Sequence, residues 1–514
     1  MNPLLGRLSE AKRIYSSASD KLKQQTLRIS SRLPLNSLPW FFLALMAGIY
    51  VLVFTATTFA QFNRFWYGNF DLGIFDQGIW LLSQLKSPYL TTRGLNLFGD
   101  HATFIHVLIA PIYWIWNSAK ALLFVHTLAL ALGVVPLYLI AREKLQNKWT
   151  PLILCLSYLL LPALHFSNLD QGYHSESFVV PLLLGAHWFI MKKDLKKYFA
   201  AVFLALMCKE EISFTIFLYG LYVAYKYNRK AGIAASAMAA VWLLLVMNVV
   251  FPLFNGSDGA FYAGRTFGSY GNTMGEKISS FLNPVLVYSK LNTPENQVYV
   301  RKLLEPVGYM VILEPHLFIC AANLWLNLLQ DWPYAHQIQY HYVTPIIPIM
   351  YIAITEGMSR FSRRKTLTGI ILGIILVSSI QGNYNFSPDE SSLRNIQRPL
   401  KEVMNFGKIP QTNQKVLEMA AKIPPAASVS ASYNLVPQIT HREKIYMFPN
   451  PYKASYFGVE DRAIPPDNYT EYLFLDIGLV SEEDRNRALN PLMEGGEYSL
   501  VEKYEQYELW KHNQ

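Results

Sequence analysis

The chain has 514 residues, of which 52% are hydrophobic and only 16% charged, with a net charge of +9. Its apolar residues come in blocks long enough to cross a hydrocarbon core of about 30 Å, which excludes a soluble globular protein and makes this a polytopic membrane protein. The basic excess lies in short loops beside those blocks rather than in an aromatic-interleaved groove, so nucleic acid is excluded as a partner and the charge reports topology.

Residues 1–37 carry Arg7, Lys12, Arg13, Lys21, Lys23, Arg28 and Arg32 against Glu10 and Asp20, a basic segment that the positive-inside rule places in the cytoplasm. The first apolar block, Trp40 to about Ala60, exits outward as a retained anchor. Thr57-Thr-Phe-Ala60 has the small residues of a cleavage site, but the basic region is too long and further spans follow. Basic loops at 142–148, 192–197, 226–230 and 360–365 share the side of residue 1 and fix spans at 119–141, 150–166, 177–191, 231–252, 343–359 and 366–382. Residues 198–225, with Lys209-Glu210-Glu211 in their middle, form a pair of short helices, and 303–329 cross twice around Pro315, for a total of about eleven spans. Residues 104–116 are apolar but short and enter the interface without crossing. Cys155, Cys208 and Cys320 all fall in apolar blocks and read as packing residues.

This topology puts four segments outside: 61–118, the short loop from Asp170 to Glu176, 253–302, and Asp331 to Tyr342. In the first, Leu72, Phe75, Ile79 and Leu82 follow helical spacing, so 71–85 form a helix lying along the outer membrane surface. After Gly382 the composition turns polar. Gln414–Lys422 reads as a helix, and Ser428–Ala431, Lys444–Phe448, Tyr472–Asp476 and the hairpin Tyr498–Trp510 read as strands. The domain division is thus a cytoplasmic basic segment 1–37, a transmembrane domain 38–382 with outer loops 61–118 and 253–302, and an extracytoplasmic α/β domain 383–514.

The candidates for chemistry are acids and histidines held near span ends, where ionised groups face a cavity, a partner or a substrate path. Asp71 and Asp76 flank the apolar face of the surface helix on opposite sides; the alternative reading makes Asp71 an N-cap and Asp76 a solvated acid. Asp100 and His101, or Asp170 and His174 at i, i+4 spacing, are candidate ligands for a divalent metal. Lys209-Glu210-Glu211 is either a site or a hairpin turn with its charges paired, and His341-Tyr342 either lines a pocket or belongs to an aromatic interface belt.

The motifs Phe70-Asp-Leu-Gly-Ile-Phe-Asp-Gln-Gly-Ile-Trp80, Gly99-Asp-His101, Lys209-Glu210 and Tyr340-His-Tyr342 resemble a prokaryotic family of predicted membrane proteins of unknown function, which in turn resembles the GT-C class of integral membrane glycosyltransferases. That resemblance implies a polytopic α-helical GT-C-like fold in the prokaryotic plasma membrane, and transfer of a sugar from a polyprenyl-phosphate donor to an acceptor on the outer face. By the same resemblance Asp71 or Asp76 is the base and Glu176 and Asp331 are dispensable. Asp100, His101, Lys209, Glu210, Arg265, His341 and Tyr342 line the substrate site, with Lys209 and Arg265 meeting the phosphate. The Asp-x-Asp spacing of some metal-dependent members is absent, which leaves metal use open. The competing readings are a transporter or flippase in which Glu210 and Glu211 relay protons, and a noncatalytic assembly protein on the same fold.

Overall fold

The computed structural model describes residues 37–255, 266–456 and 467–513. The basic segment 1–37 lies outside the described residues except for Ser37. Helix α1 (Leu38–Asn63) is apolar all round and starts with Pro39 in its first turn, where the missing N–H is not needed. Leu43, Tyr50 and Phe54 are buried against the protein while Phe41, Leu45, Ile49 and Leu52 are exposed, the division expected of a helix with one face toward lipid.

Among the described residues, four helices are long and apolar enough to cross a membrane: Leu38–Asn63, Ala119–Leu145, Arg229–Asn255 and Lys365–Phe386. A fifth crossing is made if the pair Thr150–Leu159 and Pro162–Leu169, bent by 45°, counts as one. This is fewer than the expected eleven, and the reasons are local. Glu176–Met191 and Ile212–Lys226 have 16 and 15 residues, which at about 1.5 Å per residue fall short of a hydrocarbon core of roughly 30 Å. Residues 303–329 contain no helix long enough to cross by itself; Pro306, Gly308 at φ +58° and Pro315 divide them into 3₁₀ turns and the short helices Pro315–Phe318 and Ala322–Leu329. The expected hairpin at 198–225 is present as Leu195–Leu206 and Ile212–Lys226, with Lys209, Glu210 and Glu211 at the turn. Ile212–Lys226 then packs closely on Arg229–Asn255, because a β-carbon on Gly232 would stand 2.1 Å from the Ala224 nitrogen.

Beyond Phe386 the chain builds a five-stranded sheet of order β4-β3-β5-β7-β6. Two short strands earlier in the chain, β1 (Tyr89–Leu90) and β2 (Leu95–Asn96), form a separate pair. Strand β3 (Val429–Ala431) runs parallel to β4 (Ile445–Met447) on one side and to β5 (Tyr472–Asp476) on the other. The hairpin of β6 (Tyr498–Tyr504) and β7 (Tyr507–His512) adds antiparallel to β5. Because side chains alternate along a strand, Tyr472 and Phe474 pack with Val416 and Met419 of the helix Gln411–Ala420, while Leu473 and Leu475 pack with Ala488, Leu489 and Leu492. Phe65, just beyond α1, belongs to the first of these cores, so the sheet is anchored on the helical bundle.

The expected surface helix exists as α2 (Ile74–Ser83), preceded by a wide π-type turn, Asn69–Gly73. Leu72, Phe75 and Ile79 are buried as its spacing requires. Its polar side is not wet, however: Asp76 and Gln77 are both 0% exposed. Residues 440–445 lie over that side, and the Gln77 amide donates to the Thr91 hydroxyl at 2.9 Å and to the Glu443 carbonyl at 3.2 Å. The helix is sandwiched between bundle and sheet instead of lying on the membrane surface.

Candidate functional site

The turn before α2 sets the site. Phe70 is extended (φ −70°, ψ 132°), and Asp71 takes φ +37° and ψ −52°. A left-handed backbone costs a non-glycine residue on the order of 1–3 kcal/mol, though aspartate tolerates it better than most. The surroundings hold it there. The Asn69 N–H donates to the Tyr433 carbonyl at 3.0 Å, and Gly68 lets the Tyr433 ring approach so closely that a β-carbon would stand 1.8 Å from it. The turn thereby presents Asp71 to a cavity.

That cavity has a volume of 690 Å³ and is lined by Asp71, Asp100, His101, Lys209, Glu210, His341 and Tyr342 among others, residues expected from the sequence to bind substrate or act on it. Lys209 Nζ lies 2.6 Å from Glu176 Oε1, 4.0 Å from Glu211 Oε1 and 5.6 Å from the Tyr342 ring centre. Glu210 takes a contact of 2.9 Å from His101 Nδ1 and accepts the Ala102 N–H at 3.0 Å. Arg93 lies 3.4 Å from Asp100. His174 Nε2 is 3.3 Å from Asp71 Oδ2, and its ring stacks on His341 with centroids 3.6 Å apart. His341 Nε2 is in turn 3.6 Å from Glu176 Oε1. Leu243 and Met247 of Arg229–Asn255, a helix with an otherwise lipid-exposed face, form part of the cavity wall.

Three expectations need correction. Asp76 does not reach the cavity: it is fully buried between α2 and the C-terminal region, accepting hydrogen bonds from the Tyr113 and Thr440 hydroxyls with His441 Nε2 3.3 Å away. Of the two alternative metal pairs, Asp100 and His101 are engaged by Arg93 and Glu210, and His174 of the other pair gathers with Asp71 and His341 instead of Asp170. Among the described residues the group able to hold a metal is Asp71, His174 and His341, whose ligand atoms all lie within 4.8 Å of one another. Glu176, grouped with Asp331 in the sequence reading, differs from it in position: it is 1% exposed, lines the cavity and pairs with Lys209, whereas Asp331 stays outside the cavity with Lys290 and Ser269. Arg265 lies outside the described residues.

Sequence reasoning missed Arg93 as a cavity residue and set Glu176 aside, while Glu211 lines the cavity with the Lys209-Glu210 pair it was grouped with. A signal for Glu176 existed, because a lysine buried in an apolar stretch requires a carboxylate counterion and Glu176 opens the apolar helix next to His174. Tyr433 was out of reach, since only the fold brings a residue that follows β3 to the turn at Asn69.

Electrostatics around the site are tightly coupled. Burial disfavours the charged His101 ring, but the Glu210 carboxylate outweighs it and the His101 pKa is raised. Burial, with Asp71 adding to it against the pull of His174, pushes the Asp170 carboxyl up to about 6. The cavity collects five carboxylates against Lys209 and Arg93. An anionic ligand therefore needs added positive charge, and an oxygen and nitrogen donor set without thiolate suits a divalent ion such as zinc or manganese. His174 Nε2, which faces Asp71, and His341 Nδ1 are both buried without a hydrogen bond among the described residues and fit that role.

The chain belongs to the DUF2079 family of predicted membrane proteins, whose model matches residues 61–509. No curated protein matches it in sequence. Among solved structures of the GT-C class, ArnT from Cupriavidus metallidurans, crystallised with undecaprenyl phosphate, is similar at a TM-score of 0.56 and 10% identity, covering 93% of this chain and 98% of its own. The archaeal oligosaccharyltransferase AglB from Archaeoglobus fulgidus, in complex with an inhibitory peptide and a dolichol-phosphate, follows at a TM-score of 0.40 and 10% identity, covering 91% of this chain and 74% of its own. The likeness to ArnT is one of fold.

Proposed function

From this family membership and fold, we propose that the chain is a membrane glycosyltransferase that moves a sugar from a polyprenyl-phosphate donor to an acceptor on the outer face of a prokaryotic plasma membrane. The observation that carries the proposal is the convergence of Asp71, His174, Lys209, Glu210 and His341 on one cavity walled in part by a lipid-facing helix. In the reaction the acceptor hydroxyl oxygen bonds to the anomeric carbon as the bond from that carbon to the phosphate oxygen breaks. The electron pair departs on the lipid phosphate and the hydroxyl proton passes to Asp71. Because the phosphate leaves as an anion, one carboxylate base suffices where glycoside hydrolysis uses an acid and a base.

Lys209 is held by Glu176 at the cavity wall, where it can meet the donor phosphate. Asp71, His174 and His341 would hold a divalent ion, which when bound would supply positive charge for the phosphate and orient the Asp71 carboxylate. Tyr342 and Trp332, joined by a hydrogen bond of 3.1 Å, offer aromatic faces to a sugar. The proposed arrangement has residues 1–37 in the cytoplasm and 383–514 outside, with the cavity facing outward. A transport reading built on free glutamates is disfavoured because Glu210 is engaged by His101 and the Ala102 N–H. The test is transfer of label from a polyprenyl-phosphate sugar pool by purified protein in detergent. Activity that requires a sealed vesicle would instead support transport.

A further inference from the structure

A second cavity, of 540 Å³, opens in the C-terminal region. It lies at the carboxyl ends of the parallel strands: Ser432 and Tyr433 follow β3, Phe448 and Pro449 follow β4, and Leu479 and Val480 come after β5. The chain leaves β3 to one side to make β4 and then crosses to the other side to make β5. The connections part at that point and leave a crevice, which is where open α/β sheets take ligands.

The walls have a distinct chemistry. Phe70, Tyr433, Phe448 and Tyr456 bring four aromatic rings to the walls. The Tyr456 hydroxyl is buried with no hydrogen-bond partner among the described residues, and the residue is 5% exposed. The Ser455 hydroxyl makes no hydrogen bond among the described residues; its backbone alone is engaged, by Asn450. The acid on the rim, Asp484, is already paired with Lys453 at 2.9 Å. Ring faces beside unpartnered hydroxyls, with no unpaired charge, match the C–H faces and hydroxyl rim of an uncharged saccharide better than a phosphate or an amine.

This cavity shares two walls with the first, Phe70 and Tyr433, whose ring centroids are 6.1 Å apart. Phe70 immediately precedes Asp71. We propose that the 540 Å³ cavity binds the carbohydrate portion of the acceptor, whose reacting hydroxyl reaches Asp71 past Phe70 and Tyr433. The inference rests on the transfer reading above and adds the class of acceptor to it. The bonds formed and broken are those already given, with the nucleophilic oxygen now a saccharide hydroxyl.

Saturation-transfer NMR on the full chain in detergent, without donor, tests the site separately from turnover. The probes are methyl glycosides of hexoses and N-acetylhexosamines and their disaccharides. The wild-type chain is expected to saturate at least one of them. Ala454→Trp, which fills the cavity, should abolish the signal, and Ser455→Ala should weaken binding about fivefold, the loss of one hydrogen bond. Thermal melting verifies that each variant folds, and Ser455→Ala decides the matter if Ala454→Trp does not fold. The proposal is overturned if the wild type saturates none of the probes, or if the folded variants bind as the wild type does. If binding maps to this cavity but the wild type moves no label from any lipid-linked donor, the transfer reading fails and the saccharide site stands.

Discussion

Asp71→Asn isolates the proposed base with little disturbance of shape. Asparagine keeps the size of the side chain and tolerates φ +37° as well as aspartate does, so the turn at Asn69–Gly73 should survive. What is lost is the proton acceptor, and with it the negative charge 3.3 Å from His174. A positioned general base supplies roughly 10²- to 10⁴-fold in rate, or about 3–5 kcal/mol of transition-state stabilisation, so the rate should fall by that factor at unchanged melting temperature. The assay is initial-rate transfer of labelled sugar from a polyprenyl-phosphate donor, with donor binding measured separately. An Asp71→Asn protein that transfers at the wild-type rate refutes the assignment. An Asp76→Asn protein that is inactive yet melts like the wild type would move the base to Asp76, against its burial.

The other expectations concern stability. Asp76→Ala strands the Tyr113 and Thr440 hydroxyls in a dry interface and should cost about 2–4 kcal/mol, read as a lowered melting temperature in detergent. Lys209→Met leaves the buried Glu176 without its lysine counterion and should cost about 3–5 kcal/mol, while the double variant Lys209→Met/Glu176→Gln should recover part of that loss; additive losses would show that the pair is not coupled. Asp170 has a folded pKa raised to about 6, so its ionisation works against folding as pH rises from about 4 to 6 and beyond. Asp170→Asn should therefore melt higher than the wild type at pH 8, by about 1–2 kcal/mol after allowance for partial exposure, and match it near pH 4. Equal shifts at both pH values would contradict the assigned cause.

What the sequence made legible follows from periodicity and composition. The block from Trp40 onward is apolar on every side and has no alternative to a helix crossing lipid, and β5 announces itself as a short apolar run in a polar region. The hairpin at Lys209 was readable because ions in an apolar stretch force a turn or a site. Residues 303–329 were not readable as short broken helices, since hydropathy counts apolar residues without registering how Pro306, Gly308 and Pro315 divide the backbone. Asp76 was misread because helical spacing shows that an acid leaves the apolar face but not what covers the other one. Its cover comes from residues 364 positions later in the chain, a separation that no local pattern carries.

That separation has a consequence for biogenesis. A chain emerges from its N-terminus at roughly 5–20 residues per second, so on the order of 20–70 s pass between synthesis of Asp76 and of Thr440. The membrane helices can be inserted during that interval, but the turn carrying Asp71 lacks the Tyr433 carbonyl that holds Asn69 and the Thr440 hydroxyl that donates to Asp76. Completion of the proposed site is thereby deferred until residues 433–440 have been made. A chain that stops short of Tyr433 lacks the contacts that finish the proposed site, and the C-terminal region serves as the key that arms the rest.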